Sequence, residues 1–368
     1  MEKNRPEWNR ISEALRKGVE EGVFPGALAL VGRAGKVAFL GKSGYRSLVP
    51  EKALMHKDTI FDIASLTKPR ATTLATMKLV HEGKVSLDQP LAEIIGGPLG
   101  EKENLTLRLL LCHSAGFADW KPYYMELVKY GEEQRKKVVR ELIIQEPFAY
   151  TPGKGCLYSD LGFMILEWVI EKAAGESLKH FVEKHFYGPL GLKRTFFAVN
   201  SSAPKYGKEQ FAAAEECAWR GRVILGEVQD ENAFSLGGFS GHAGLFGSAE
   251  EVFAVANLLR EHYLGLRDDF FSPYIVREFF TRQDIVKNST WALGWDTPSQ
   301  QDSSSGKYFS GTSVGHLGFT GTSLWMDLEK DVVVVLLTNR VHPTRNNQKI
   351  KAFRPLFHDI IMREIGAA

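Results

Sequence analysis

The chain has 368 residues, of which 44% are hydrophobic and 24% are charged. This composition excludes an intrinsically disordered protein and is sufficient for one large core or two packed bodies. The formal net charge is +2 and no run of like charge stands out, so neither a nucleic-acid-binding arm nor a polybasic membrane patch is indicated. The longest apolar run, residues 332–337, is far shorter than the ~20 residues of a membrane-spanning helix.

The first predicted elements precede Ser65. Residues 7–21 carry apolar side chains at intervals of three and four, which predicts an amphipathic helix. Two short apolar runs, residues 27–31 and 36–40, flank a turn and predict a β-hairpin. A third apolar segment, residues 60–64, is predicted to be a strand that leads directly into Ser65.

The middle of the chain, from Leu66 to about Gly226, has mostly helical periodicity interrupted by Gly and Pro. Strand patterns return near the carboxyl end, where an unbroken apolar run predicts a strand buried on both faces. This order predicts one sheet built from both ends of the chain, with a helical insertion between them. The candidate helices are residues 67–82, 133–146, 161–174, 178–186 and 352–365, and the late strands are residues 323–327 and 332–338.

Four serines lie in short motifs typical of nucleophiles. The Ser-x-x-Lys pattern occurs at Ser65, Ser202 and Ser304, and Gly-x-Ser-x-Gly occurs around Ser313. A nucleophile elbow needs a strand before the serine and a helix after it, whereas a polar loop precedes Ser313 and extended sequence follows it. Ser202 and Ser304 lie in polar loop sequence. Only Ser65 joins a predicted strand to a predicted helix.

Ser65 and Lys68 are three residues apart, so on a helix they share one face and the lysine can reach the hydroxyl. Free backbone N–H groups at the helix start could also stabilise an oxyanion. The alternative interpretation is that Ser65 is simply a helix N-cap. Pro69 disfavours helical geometry at Lys68, a conflict that a first turn can tolerate.

Two further motifs follow in order: Tyr158-Ser159-Asp160, before a predicted helix, and His316-Leu317-Gly318, before Phe319. Together with Ser65-Leu66-Thr67-Lys68, this set resembles the three active-site motifs of the serine β-lactamase and penicillin-binding-protein superfamily. The resemblance is closest to the class C β-lactamase-like branch, which also contains D-aminopeptidases and esterases. Supporting segments are residues 110–116, 188–192, 241–246 and 336–339.

The resemblance implies an α/β (α+β) fold of the β-lactamase/transpeptidase type, with an antiparallel sheet flanked by helices plus an all-helical lobe. Its expected division is a discontinuous α/β domain of residues 1–66 and 233–368 and a helical domain of residues 67–232. The active site would lie in the cleft between them.

The resemblance also implies roles for individual residues. Ser65 would be the nucleophile, Lys68 its neighbour, and Tyr158 the general base or proton shuttle. The backbone N–H groups of Ser65 and Phe319 would form the oxyanion hole. Asp160, Leu317 and Gly318 would contribute to substrate binding together with His316, which stands where the family has a lysine.

Two departures from the family pattern have chemical consequences. Asp160 replaces the class C Asn, and a carboxylate near Lys68 favours the charged ammonium, so we expect Lys68 to stay cationic and act on Tyr158. Asp160 could instead be the N-cap of the helix that follows, and both roles could hold. Leu317 lacks a hydroxyl and His316 offers no dependable charge at pH 7, so recognition of a substrate carboxylate should be weak.

These observations predict a serine hydrolase that forms an acyl-enzyme on an ester or amide bond of a small molecule. The alternative is a genuine class C-type β-lactamase or D,D-peptidase, a penicillin-binding protein. A third hypothesis is a non-catalytic binding descendant of the fold. No cofactor is expected, and no metal either, because no cysteine pair has ligand spacing and His81-Glu82 lacks the second histidine of a zinc helix.

The three cysteines and the polar first ten residues predict a cytoplasmic protein, while the oligomeric state stays open. His242 could line the cleft, although a structural loop histidine is the favoured interpretation. His113 is predicted to be structural and Cys156 a packed thiol. The roles of Asp230 and Glu231 are left open, a hydrogen-bond network at the cleft edge being one guess.

Overall fold

The computed structural model describes residues 8–367. The start of the predicted first helix, at residue 7, lies outside the described residues. The described helices are α1 (Asn9–Glu20), α2 (Thr73–His81), α3 (Leu91–Ile95), α4 (Leu107–Leu111), α5 (Tyr124–Leu127), α6 (Glu132–Gln145), α7 (Asp160–Ala174), α8 (Leu178–Val182), α9 (Glu231–Ser235), α10 (Ala249–Leu264), α11 (Pro273–Phe280) and α12 (Ile350–Glu364). The strands are β1 (Gly26–Arg33), β2 (Lys36–Ser47), β3 (Ala53–Leu54), β4 (Phe61–Asp62), β5 (Phe196–Phe197), β6 (Glu216–Cys217), β7 (Arg222–Val223), β8 (Leu245–Gly247), β9 (Val314–Leu317), β10 (Ser323–Asp327) and β11 (Val332–Thr338).

The main sheet has six strands in the order β3-β2-β1-β11-β10-β9, and every neighbouring pair is antiparallel. Strands from the two ends of the chain meet at its centre, where Leu30 of β1 is paired with Val335 of β11. The predicted sheet built from both ends of the chain, and the α/β fold class, are therefore confirmed.

The central strand β11 shows why this sheet forms. All seven of its residues are buried, as its unbroken apolar sequence predicts. Val334 and Leu336 point to a cluster shared with α1 and α12, whereas Val333 and Val335 point to a larger cluster shared with α2, α7 and α10. Both faces of the sheet are thus covered by helices.

A small second sheet positions the segment that carries Ser65. Its order is β4-β8-β5, with Phe61 opposite Gly247 and Asp62 opposite Phe246. Strand β4 ends just before Ser65, and β8 begins just after the loop that contains His242. The predicted strand of residues 60–64 is therefore shortened to two residues, and it belongs to this second sheet instead of the main one.

The region predicted to be all-helical also contains three two-residue strands, β5, β6 and β7. The predicted helix of residues 67–82 divides into a π turn (Lys68–Thr72) and α2, and a 3₁₀ turn (Ala64–Leu66) precedes it. Helices α10 and α11 were not predicted. The Ser248 hydroxyl caps α10 by accepting from the Glu251 N–H.

Among residues 8–367, none of the helices is long and apolar enough to cross a membrane. The large hydrophobic cluster is continuous from the inner face of the sheet to the helices of the middle region. The division of the chain after residues 66 and 232 stays a prediction.

Candidate active site

Ser65 lies at the middle of the 3₁₀ turn that joins β4 to the π turn. Ala64, the residue before it, has φ of 48°, in the left-handed region that costs a non-glycine residue about 1 kcal/mol. The carboxylate of Asp62 stabilises this conformation by accepting from the Ala64 N–H (2.9 Å). No side-chain cap is formed at this turn, so the interpretation of Ser65 as an N-cap is wrong.

Asp62 also connects the Ser65 turn to a distant segment. Its second oxygen accepts from the Gln229 N–H at 2.7 Å, and the side chain is buried. Burial raises the pKa of Asp62 to about 6, although these two backbone N–H donors oppose the change. Apart from the position of Asp62 three residues before the predicted nucleophile, nothing in the sequence indicated this role.

Lys68 is fully buried, and its ammonium has three acceptors. Nζ donates to Asp160 Oδ1 (2.6 Å), to Ser65 Oγ (3.2 Å) and to the backbone oxygen of His242 (3.2 Å). Burial lowers the pKa of Lys68, but the attraction of Asp160 outweighs it, so the pKa lies above its ordinary value. This direction agrees with the expectation that Lys68 stays cationic.

The π turn explains how Pro69 is accommodated one residue after the lysine. Proline has no N–H and disfavours a regular α-helix at the preceding residue. In the wider turn, the Thr73 N–H donates to the Lys68 carbonyl. The Thr72 hydroxyl donates to the Gly241 carbonyl (2.6 Å), which ties the turn to the His242 loop.

Tyr158 lies next to both Ser65 and Lys68, with Lys68 Nζ 4.8 Å from the centre of its ring. Its ring stacks near His113 (centroids 4.6 Å apart) and near Trp291 (5.7 Å). Burial raises the pKa of Tyr158, and the nearby Lys68 ammonium only partly offsets this. The phenol is therefore the resting form near neutral pH.

His113 was predicted to be structural, and its contacts show that it supports the second motif. Its Nδ1 accepts from the Ser159 N–H (3.0 Å), so the ring orients the second motif while it packs on Tyr158. Burial lowers the pKa of His113 far below its ordinary value, and Lys68 adds to the effect. A neutral imidazole is consistent with this accepting role.

Asp160 is the first residue of α7, and Ser159 is the N-cap, its hydroxyl accepting from the Gly162 N–H. The alternative of Asp160 as N-cap is therefore wrong. The Asp160 N–H donates to the Asp119 carbonyl (2.8 Å), and its carboxylate is directed at Lys68. A serine cap leaves the carboxylate free for this ion pair.

The third motif lies at the end of β9, with Leu317 paired to Ser323 of β10. The following loop is fixed against the segment before Ser65: the Thr320 hydroxyl donates to the Asp62 carbonyl (2.8 Å), and the Thr322 hydroxyl donates to the Ile63 carbonyl (3.0 Å). A Cβ on Gly318 would lie 2.6 Å from the Ile63 oxygen, so this close approach requires glycine.

His316 lies in the cleft as an uncharged side chain. It is 2% exposed, and burial, together with the Lys68 charge, lowers its pKa to about 3. Its Nδ1 is 2.8 Å from the Leu317 carbonyl oxygen. The third motif therefore supplies neither the positive charge nor the hydroxyl that would hold a carboxylate.

His242 lines the cleft, so the favoured interpretation of a purely structural loop histidine is wrong. Its Nε2 is 3.0 Å from Asp230 Oδ1, and that carboxylate also caps α9. Burial lowers the pKa of His242, but Asp230 and Asp160 outweigh it and the pKa is raised. His242 thus lies close to the carboxylates of both Asp160 and Asp230, which favour its protonated form.

Glu231 lies at the cleft edge and forms an ion pair with Arg345, so polar contacts are present where a hydrogen-bond network was suggested. Cys156 does not line the cleft, and burial raises the pKa of its thiol, which opposes a nucleophilic role. Ser313 is buried in the loop before β9 and near Ser310, consistent with its interpretation as a loop serine.

The cleft has a volume of about 750 Å³, within the usual range for small-molecule sites. It brings together the predicted site residues of all three motifs except Lys68, which lies buried beneath its wall. These cleft-lining residues are Ser65, Tyr158, Asp160, His316, Leu317, Gly318 and Phe319.

Residues 11–356 match the sequence model of the Beta-lactamase family. A protein of Escherichia coli (strain K12) named "Putative D-alanyl-D-alanine carboxypeptidase" is 33% identical over 317 residues, covering 79% of this chain and 71% of the relative. The N-acetylmuramyl-L-alanine amidase of Bacillus subtilis (strain 168) is 28% identical over 362 residues, with coverages of 90% and 81%.

Solved structures share the fold at lower sequence identity. EstCE1, a hydrolase with promiscuous acyltransferase activity, superposes with a TM-score of 0.70 at 23% identity, covering 94% of this chain and 97% of the other. The octameric penicillin-binding protein homologue from Pyrococcus abyssi gives 0.72 at 21% identity, with coverages of 98% and 78%. The chain therefore belongs to the beta-lactamase family, and it is a serine hydrolase of that family.

Removal of the Asp160 charge should destabilise the protein. In Asp160→Asn the Lys68 ammonium would stay buried without its counter-charge, at a cost of about 3 kcal/mol at pH 7. Because the Lys68 pKa is raised above an already alkaline value, the contribution of the pair is fully present at pH 7 and is lost only as the pH rises through that pKa.

Urea unfolding at pH 7 measures this loss. Asp119→Asn is the matched control, because Asp119 lines the same cleft but is exposed and forms no salt bridge among the described residues. A loss no larger in Asp160→Asn than in the control would contradict the proposed importance of the ion pair.

Asp62 should make stability depend on pH. Its pKa is about 6 in the folded chain against an ordinary value of 3.8, so the folded state binds this proton more tightly than the unfolded state. The contribution of this group therefore falls by about 3 kcal/mol as the pH rises from below 4 to above 6. The difference in unfolding free energy between wild type and Asp62→Asn, followed by urea titration across this range, should fall by that amount; a difference that does not vary with pH would refute the assignment.

Proposed function

We propose that this protein is a serine esterase or amidase that forms an acyl-enzyme with a small-molecule ester or amide. The observation that carries the proposal is the arrangement around Ser65. Its hydroxyl accepts a hydrogen bond from Lys68 and lies beside Tyr158, on the wall of a cleft of about 750 Å³. A hydroxyl in contact with proton-transfer groups at the surface of a cleft is what nucleophilic catalysis requires.

In the acylation step, Ser65 Oγ attacks the substrate carbonyl carbon and the π electrons move to the carbonyl oxygen. Lys68 is not the base, because Asp160 keeps its ammonium charged. Tyr158 is a phenol at rest, so it acts as a shuttle: it accepts the Ser65 proton while its own proton passes to the leaving group. The bond to the leaving alcohol or amine then breaks, and the acyl group stays on Ser65.

The oxyanion is assigned to the backbone N–H groups of Ser65 and Phe319. The contacts of Thr320 and Thr322 with residues 62 and 63 support this assignment, because they hold the loop after Gly318 directly against the Ser65 turn. Backbone donors fixed in this way need no reorganisation as the negative charge develops. In deacylation, water attacks the acyl carbon and gives a proton to Tyr158, the ester bond to Ser65 breaks, and the phenol proton of Tyr158 passes to Ser65 Oγ as the acid leaves.

The third motif supports a preference for substrates without a carboxylate next to the reacting bond. His316 is neutral, and Leu317 has no hydroxyl with which to bind an anion. Esters and amides with neutral or cationic groups are therefore the favoured substrate class.

The second candidate is a β-lactamase or D,D-peptidase activity. The similarity to relatives named as carboxypeptidases favours it, whereas the chemistry of the third motif opposes it. A non-catalytic binding role is the weakest candidate, because Ser65, Lys68 and Tyr158 are all present and in contact.

For the compartment, we propose the cytoplasm. All three cysteines are free, and Cys156 is exposed. Free thiols of this kind are typical of a reducing environment.

The roles of Ser65 and Tyr158 can be tested together. A fluorophosphonate should label Ser65, and Ser65→Ala should abolish both labelling and hydrolysis of p-nitrophenyl esters. Tyr158→Phe keeps the ring that packs on His113 and removes only the hydroxyl, so kcat should fall by about 10²–10⁴-fold with little change in KM. Tyr206→Phe, which removes a hydroxyl bound to the Lys193 carbonyl far along the chain, is the control. Labelling at another residue, or full activity of Ser65→Ala, would overturn the proposal.

The third motif predicts the response to β-lactams. Wild-type protein should hydrolyse nitrocefin far less efficiently than p-nitrophenyl acetate. Leu317→Thr adds a hydroxyl that can bind the nitrocefin carboxylate, so kcat/KM for nitrocefin should rise about tenfold. Leu317→Val, which has the same shape as threonine without the hydroxyl, is the matched control. Equal responses of the two variants, or efficient wild-type turnover of nitrocefin, would contradict this view of the motif.

A further inference from the structure

A second carboxylate in the cleft has no part in the proposed mechanism. Asp296 lines the cleft and lies beside the third motif, because its backbone N–H and carbonyl both pair with Gly315 of β9 at 2.8 Å. Its other backbone neighbour is Trp291, directly opposite it in an antiparallel bridge. Residues opposite each other in such a pair place their side chains on the same face.

One oxygen of Asp296 is bound and the other is free. Oδ1 accepts from the Thr290 hydroxyl (2.6 Å) and from the Thr297 N–H (3.0 Å). Within residues 8–367, Oδ2 has no hydrogen-bond partner and the carboxylate has no salt bridge. The side chain is therefore fixed in place with one acceptor oxygen unused.

The buried ionisable side chains around the cleft already have partners. Asp160 binds Lys68, Asp230 binds His242, and Glu231 binds Arg345. Arg340 and Arg354 donate to backbone carbonyls of the loop after β9.

Five charged cleft side chains have no salt bridge among the described residues: the two arginines that donate to backbone carbonyls, and Asp119, Asp296 and Lys351. Asp119 and Lys351 are exposed, where water and salt screen their charge, whereas Asp296 is half-buried. The Arg282 guanidinium donates to Thr297 and Pro298 and acts on Asp296 only through its charge. Asp296 is therefore a half-buried carboxylate of the cleft to which no counter-ion is bound.

Trp291 lies between this carboxylate and the reacting groups. Its ring is 5.7 Å from the ring of Tyr158 and 5.7 Å from that of His316. An indole face attracts cations, and a carboxylate next to it supplies a hydrogen-bond acceptor and a counter-charge. Neutral His316 adds no positive charge that would oppose a cation here.

We propose that Asp296 and Trp291 form a subsite for an ammonium group, so that the preferred ester or amide substrates carry a protonated amine. This proposal names the substrate class of the proposed hydrolase and rests on that function. The ammonium would lie against the indole and donate to Asp296 Oδ2, which anchors the substrate while its carbonyl lies at Ser65. Burial raises the pKa of Asp296 to about 6, so at pH 8 the carboxylate carries the required charge.

The subsite can be tested by binding alone. Isothermal titration calorimetry at pH 8 compares benzylammonium with benzyl alcohol, which has the same ring and no charge. Wild type should bind benzylammonium at least tenfold more tightly than benzyl alcohol, and Asp296→Asn should lose that preference. Asp119→Asn, at the exposed cleft acid, should keep it to within twofold. The proposal would be overturned if wild type showed no preference for benzylammonium, a measurement that requires no variant. It would also be overturned if a folded Asp296→Asn kept the full preference.

Kinetics provide the second readout. 4-Nitrophenyl 4-(aminomethyl)benzoate and 4-nitrophenyl 4-ethylbenzoate have nearly the same shape, and only the first carries a protonated amine that can donate to Asp296. The ratio of their kcat/KM values should favour the cationic ester in wild type and fall about tenfold in Asp296→Asn. A loss that is equal for both esters would overturn the subsite and assign Asp296 a structural role. If neither ester is hydrolysed and fluorophosphonate leaves Ser65 unlabelled, the proposed function fails, and the calorimetry still decides the subsite.

Discussion

The architecture of the site depends on one buried charge. The Lys68 ammonium has no exposed surface, and a charge in that position is tolerated only when it is paired and fully hydrogen-bonded. Its three acceptors come from the Ser65 turn, the start of α7 and the His242 loop, three segments far apart in the sequence. Satisfying one ammonium therefore requires that these segments meet at one point, next to the hydroxyl of Ser65.

The remaining contacts make this meeting point rigid. Asp62 stabilises the strained residue before Ser65 and ties it to residue 229, while Thr320 and Thr322 hold the loop after β9 against the same segment. The small sheet β4-β8-β5 sets the distance between the Ser65 turn and the His242 loop. Nucleophile, proton-transfer groups and backbone donors are thus positioned before any substrate arrives, which is the condition for electrostatic preorganisation.

The same ion pair determines the chemistry. Because Asp160 raises the pKa of Lys68, the proposed mechanism treats the lysine as a fixed positive charge and not a base, and assigns proton transfer to Tyr158. The fixed charge also helps to keep His316 neutral, so His316 supplies no cation for a substrate carboxylate. With its buried arginines bound to the protein itself and Asp296 unpaired, the cleft is suited to substrates that are neutral or positively charged.

The sequence by itself determined the elements and residue types that depend on local order. The buried strand β11 and the helix after the second motif follow from periodicity. The three ordered motifs were recognised through the family resemblance, and so was the expectation that Asp160 keeps Lys68 cationic. Only the tertiary structure decided the roles of Asp62, His113, His242 and Asp296. Each of these residues acts through a partner that is distant in sequence, or through its burial. A distant partner and burial leave no periodic or spacing signal in the sequence. The wide turn at Pro69 and the serine cap of α7 were also decided there, because packing selects among local conformations that the sequence permits.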